Sequence, residues 1–241
     1  MVKRGLACVV LLGIVSAGCD SGSTDDPFVE PPPGLQEVPI SAIVTGGIVL
    51  KTNPDGNAPL TATLSFSTTE MSEVRLQVLG PEPLAFEPAT LGTSHDLPVL
   101  GLYPGLENEL EVRVTIPDSV YAADTIRVET PALPEFFPSV EIRSVNESLM
   151  EPGWTASALM IGDGGTFRPY PIMFDRDGAI RWYLDLSFME ASTLTAERNA
   201  NGNMLIGDGR DLYEYDMLGT QVNHWNIPGY WIHHAIIEKP D

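Results

Sequence analysis

Two adjacent histidines, His233 and His234, are the residues of this 241-residue chain best suited to chemistry. An imidazole can act near neutral pH as nucleophile, general acid or base, cationic stabiliser or metal ligand. On a regular strand, adjacent side chains face opposite ways, so one of the pair points toward a channel or cleft and the other toward packing. The residues alone leave open which does which. They also leave open a plainer role, a rim histidine tied to a backbone carbonyl. Asp163, Asp208 and Asp211 lie in Gly-Asp-Gly contexts that suggest calcium, but they lack the dense alternating oxygen ligands of an EF-hand loop and read as hairpin turns. His95 and Asp96 are neighbours on a strand and face opposite sides, so His95 reads as structural. No Ser-His-Asp set, phosphate-binding loop or zinc spacing occurs, and neither metal nor cofactor is expected.

The histidines end a repeated stretch. Ile161-Gly162-Asp163-Gly164 recurs as Ile206-Gly207-Asp208-Gly209, Phe174-Asp175 as Tyr215-Asp216, and Gly178 as Gly219. The unequal spacings fit a longer loop around Phe167-Arg168-Pro169-Tyr170 in the first copy. Glu197, Asn201 and Gly202 restart at Glu238-Lys239-Pro240-Asp241. A period of roughly 40–45 residues, built from short strands and Gly-containing turns, is the sign of β-propeller blades. Strands are expected at 158–161, at 172–174 with 180–183, at 204–206, at 212–215 and at 222–225, with a further inner strand beginning at Ile232. Trp182 and Trp225 are expected to pack between blades. That makes about two blades and the start of a third. Closed propellers need at least four blades, so the sequence is expected to be the front part of a longer protein.

Composition agrees with an all-β chain. At 43% hydrophobic, with 22 Gly and 21 Pro, it can bury a core and turn often. Residues 1–18 read as a lipoprotein-type signal: Lys3 and Arg4, an apolar run from Gly5 to Val15, then Ser16-Ala17-Gly18 before Cys19, the expected lipidation site. Ser16 departs from the usual leucine, and an ordinary secretory signal is the alternative. The remaining cysteine, Cys8, lies inside the signal, so no internal disulfide is expected. The net charge of −20 repels nucleic acid and anionic lipid heads. An exported product, periplasmic or at the cell surface and lipid-anchored, follows. Residues 19–37 read as a tether, ending in the Pro31-Pro32-Pro33 run.

Residues 38–132 alternate with period two: Leu64 and Phe66; Val74, Leu76 and Val78; Val112, Val114 and Ile116; Ile126 and Val128. Half-buried antiparallel strands spaced by turns such as Asn53-Pro54-Asp55-Gly56 and Tyr103-Pro104-Gly105 predict an immunoglobulin-like β-sandwich. The prolines between Pro131 and Pro138 mark the start of the partial propeller, residues 133–241.

Several stretches together resemble the bacterial aryl-sulfate sulfotransferases, the arylsulfotransferase family. They are Asn53-Pro54-Asp55-Gly56-Asn57-Ala58-Pro59-Leu60, then Leu100-Gly101-Leu102-Tyr103-Pro104 with Asn108, and Ile232-His233-His234 before a Pro-Asp turn. Ala235 stands where an acid is common. The resemblance implies a six-bladed propeller that moves a sulfuryl group from a phenolic sulfate ester to a phenol. A histidine would attack sulfur and expel the phenolate, in ping-pong order. In the family the sulfated histidine lies beyond the paired-histidine strand, so His234, and after it His233, carry over in a supporting role, and this chain alone is expected to be inactive. Donor ester and acceptor phenol are the implied partners, and a homodimer is open. The competing reading is a non-catalytic surface lipoprotein whose propeller only binds or scaffolds.

Overall fold

The computed structural model describes residues 8–10, 34–86, 91–146, 149–150, 153–163, 166–189, 195–232 and 235–236. Cys19, most of the expected tether, His233 and His234 lie outside the described residues. The chain is all-β and divides into two compact units, one comprising Gly18–Thr52 and Thr61–Ala132, the other Met1–Ala17, Asn53–Leu60 and Leu133–Asp241. No helix among the described residues is long and apolar enough to cross a membrane.

The first unit is an immunoglobulin-like sandwich. Its central strand is β4 (Ala62–Val78). The first half of β4 pairs with β3 (Val44–Thr52) and β6 (Gly92–Val99). Its second half pairs with β5 (Leu84–Ala85) and β7 (Glu107–Ile116), and β7 pairs with β8 (Val120–Glu129), which carries the short parallel β2 (Gln36–Glu37). The alternation read from the sequence is the burial pattern: Leu64, Phe66, Val74, Leu76, Val78, Val112, Val114 and Val128 all enter one core. A long strand serving two sheets explains why one β4 stands where two apolar runs are seen in the sequence. His95 is buried beside Phe66, with ring centroids 5.0 Å apart, while Asp96 on the other face accepts a hydrogen bond from Ser65. Burial lowers the His95 pKa, as expected of a neutral structural imidazole. Asn108 closes a corner: its Oδ1 accepts from Tyr103 N at 2.7 Å and its Nδ2 donates to Tyr103 O at 3.0 Å.

The second unit holds two four-stranded antiparallel sheets of propeller-blade type. In the first, β9 (Thr155–Asp163), β10 (Thr166–Phe174) and β11 (Ile180–Tyr183) follow in order, and β1 (Cys8–Val10) pairs with the free edge of β9. In the second, β12 (Thr195–Arg198), β13 (Met204–Asp208), β14 (Asp211–Tyr215) and β15 (Gln221–Asn226) run consecutively. The place of β12 beside β13 is thus taken in the first sheet by residues expected to belong to a signal. An edge strand presents unpaired N–H and C=O groups, and the backbone of β1 satisfies them.

The extra residues of the first copy are not a loop. Phe167, Arg168, Pro169 and Tyr170 lie within β10, which has nine residues where β14 has five. They pair continuously with β9, Phe167 opposite Gly162 and Tyr170 opposite Leu159. A hairpin can absorb an insertion by lengthening both strands, because each added pair makes its own ladder hydrogen bonds.

Four turns of this unit share one construction. In Asn53–Gly56, Asp175–Gly178, Asn199–Gly202 and Asp216–Gly219, the glycine N–H donates to the first residue's carbonyl at 3.0–3.1 Å. Each glycine has φ between 83° and 91°. In each, the first residue's Oδ1 also accepts a backbone N–H further along. Asn or Asp at the first position and Gly at the fourth are therefore required by hydrogen bonding and by the left-handed backbone.

The Asn53–Leu60 segment departs from the sequence reading most. It joins β3 to β4, yet it belongs to the blade unit's core. Ala58 packs with Trp182, Leu184, Met204 and Ile206, and Leu60 with Leu159, Ile172 and Tyr183. Asn57 Nδ2 donates to Gly219 O at 3.1 Å, and Thr220 Oγ1 donates to Asp55 Oδ2 at 2.6 Å. Asp185 N donates to Asn57 O at 2.7 Å.

Candidate functional site

The residues around the histidine pair are held by the tip of the β13–β14 hairpin. Gly209 and Arg210 form that tip between Asp208 and Asp211, which face each other across the ladder. Ile232 makes an isolated antiparallel bridge to Gly209, its N–H donating to Gly209 O at 2.6 Å. Ile227 N donates to Arg210 O at 2.8 Å, so the chain is tied to the tip both before and after Gly229. Ile232 and Ile236 bracket His233 and His234 in sequence, and both lie over Gly207. A Cβ there would stand 2.6 Å from Ile232 Cγ2 and 2.9 Å from Ile236 Cδ1. Glycine at 207 is what lets Ile232 and Ile236 approach the sheet. Three indole carbons of Trp231 lie 3.6–3.9 Å from the corresponding point on Gly209.

A polar cluster that composition did not single out lies on the same end of this sheet. Asp211 Oδ1 meets His224 Nε2 at 2.8 Å and accepts from Asn226 Nδ2 at 3.0 Å. The donated bonds from Asn226 and then His224 hold the Asp211 pKa below the usual carboxylate value. His224 stacks on Tyr213 with centroids 4.4 Å apart and ring planes 6° from parallel. Register carries the signal for it: Asp211 pairs with Asn226 and Tyr213 with His224. Reading those four together requires knowing the strand pairing.

The opposite face of β14 bears Glu214, only 5% exposed. Its Oε1 accepts from Asn199, Asn201 and Asn203 at 3.1, 3.0 and 2.7 Å, and its Oε2 from Asn223 at 2.6 Å. Hydrogen bonds from Asn223, then Asn201, Asn203 and Asn199, draw its pKa down to about 2. In the first sheet the equivalent position is Met173, opposite Trp182 as Glu214 is opposite Asn223. There the polar pairing is a different one. Arg181 meets Asp175 at 3.0 Å, both side chains fully buried, with Trp154 5.2 Å beneath the guanidinium.

Trp182 packs between the two sheets as expected, its Nε1 donating to Met217 O at 2.8 Å. Trp225 differs: it is 43% exposed among the described residues. The register aligns it with Leu184 rather than Trp182, so the two tryptophans are not repeat equivalents. Asp208 and Asp211 are hairpin residues, and among the described residues no group of three or more His, Cys, Asp or Glu side chains is placed to hold a metal.

Residues 49–131 match the family model for the arylsulfotransferase Ig-like domain, and residues 144–241 match that for arylsulfotransferase (ASST). The two stretches follow in the order of the sandwich and the blades. The chain belongs to the arylsulfotransferase family. It is also similar to the arylsulfate sulfotransferase AssT of Lelliottia amnigena, at 23% identity over 240 residues. That alignment covers 76% of this chain and 39% of the relative, so the chain spans about two fifths of the relative's length. In this chain, Asn53, Gly56 and Leu60 of the first resembling stretch serve the blade unit, and Tyr103 with Asn108 of the second builds the sandwich corner. Of the third, Ile232-His233-His234, the described residues include Ile232, bridged to Gly209.

Proposed function

We propose that this chain is part of an exported aryl-sulfate sulfotransferase, moving a sulfuryl group from a phenolic sulfate ester to a phenol through a sulfohistidine. The observation that carries the proposal is the anchoring of the segment around His233 and His234. Ile232 is bridged to Gly209 at a hairpin tip, and the family match runs through that same segment. In the proposed reaction, a histidine nitrogen attacks sulfur, the S–O bond to the phenol breaks, and the phenolate leaves. The acceptor phenol, losing its proton to a base, then takes the sulfuryl group and restores the imidazole. His234, and after it His233, hold sulfate oxygens or the leaving phenolate, whose developing charge a cationic or N–H-donating imidazole stabilises. The sulfated histidine is supplied from outside the present 241 residues, which are inactive alone.

The test is turnover of 4-nitrophenyl sulfate with a phenol acceptor, by protein carrying the remaining blades. His234→Ala is expected to lower kcat/KM by about 100-fold or more, the usual scale for one oxyanion-stabilising donor. An unchanged rate removes His234 from the site. Absence of turnover in the unmodified protein favours a purely binding lipoprotein.

A further inference from the structure

We propose that Trp231 and Arg210 form a recognition subsite for aryl sulfate esters at the tip of the β13–β14 hairpin, immediately before the histidine pair. This rests on the sulfotransferase reading and names residues that take the substrate's two chemical halves. Trp231 is 57% exposed and Tyr230 74% exposed, although both sit in a segment fixed by backbone bonds. One side of the Trp231 indole faces the hairpin tip, with three benzo-ring carbons 3.6–3.9 Å from where a Cβ on Gly209 would stand. An indole held on one side and open on the other is a rigid stacking platform with little conformational freedom left to lose.

Arg210 supplies the charge. Among the described residues, Arg75, Arg113, Arg127, Arg143 and Arg181 each pair with a carboxylate, and Arg168 and Arg198 donate to backbone carbonyls, whereas Arg210, exposed at the hairpin tip, has no ion pair. On a chain of net charge −20, this leaves a guanidinium beside two aspartates without an ion pair. The neighbouring carboxylates are occupied elsewhere: Asp211 is held by His224 and Asn226, and Asp208 has a partner of its own. A guanidinium matches the oxygen fork of a sulfate monoester, and an aryl ring matches the indole. A ligand bearing both groups gains from both contacts, whereas a phenol gains only the stacking.

Calorimetric titration of the 241-residue chain with 4-nitrophenyl sulfate, 4-nitrophenol and inorganic sulfate tests this. Trp231→Ala is expected to weaken the ester by about 5–10-fold, and Trp231→Phe to keep it within about twofold, because a phenyl ring still stacks. Arg210→Gln is expected to weaken the ester by about 5–10-fold and leave 4-nitrophenol unchanged. Both side chains are exposed, and thermal melts of the variants should match the parent. Equal ester affinity in the parent, Trp231→Ala and Arg210→Gln overturns the subsite, as does a parent that binds no ester. If this binding pattern holds while protein with all its blades fails to transfer sulfate, the subsite stands and the catalytic reading alone falls.

Discussion

Glu214 illustrates what a single side chain does in this protein. A buried carboxylate is costly unless its lone pairs are filled, and four asparagine amides fill them. Three come from one turn, Asn199–Asn203, and the fourth from β15, so the carboxylate ties the β12–β13 turn to the outer strand. Its folded-state pKa, about 2, lies below the unfolded value. The stabilisation is therefore fully present above roughly pH 4.5 and is lost as pH falls through about 2. Glu214→Gln turns an amide N–H₂ toward amide donors. It is expected to cost about 1–3 kcal/mol at pH 7 in urea denaturation and to remove this part of the acid-induced loss. Equal stability of variant and parent at pH 7 would show the cage to be neutral. Arg181 and Asp175 follow the same logic in the first sheet, with charge paired to charge.

At the scale of elements, the Asx-Gly turns set the ends of the strands and thereby the blade repeat. Two of them also meet: the turn ending at Gly219 lies against Asn57 and Ala58, which follow the turn ending at Gly56. A Cβ on Gly219 would stand 3.0 Å from Ala58 N and 3.1 Å from Asn57 Cβ, whereas one on Gly56 would meet nothing within 4 Å. Both glycines have positive φ, 83° at Gly56 and 91° at Gly219. Gly56→Ala should therefore carry only the backbone strain, about 1–3 kcal/mol. Gly219→Ala should cost more than Gly56→Ala, because the neighbours must also move. Thermal melts of the two variants measure the difference, and hydrogen exchange should place the extra loss in β14 and β15. Equal costs would mean that the Asn53–Leu60 segment yields freely.

At the scale of the whole molecule, the blade unit is discontinuous in sequence. Leu60 and Ala58, from between two sandwich strands, fill its core, so a cut at residue 132 would separate the blades from part of their own interior. The N-terminus bears on the same question. The proposed export would remove residues 1–18, and with them the strand that covers the edge of β9. Mass spectrometry of protein recovered from the membrane fraction is expected to find a chain beginning at a lipidated Cys19, and Cys19→Ala to release it from the membrane. A recovered chain that still begins at Met1 would refute the export and leave β1 in place.

Period-two alternation was enough to determine the sandwich, because a half-buried strand must put every second side chain into the core, and Leu64, Val74 and Val112 do so. Spacing of Gly and Asx residues determined the blade turns, because only such residues combine positive φ with a local side-chain acceptor. The histidine pair was visible as a chemical type. What needed the tertiary structure was everything set by pairing between distant residues: the four amides around Glu214, the His224–Asp211 contact, the place of Trp231 beside the hairpin tip, and Asn53–Leu60 in the blade core. The four-residue insertion belongs with these, since strand and loop are distinguished by whether a partner strand lengthens with them. Local sequence sets backbone preference and face, but which side chains meet across a ladder depends on register, and register is an outcome of packing the whole unit.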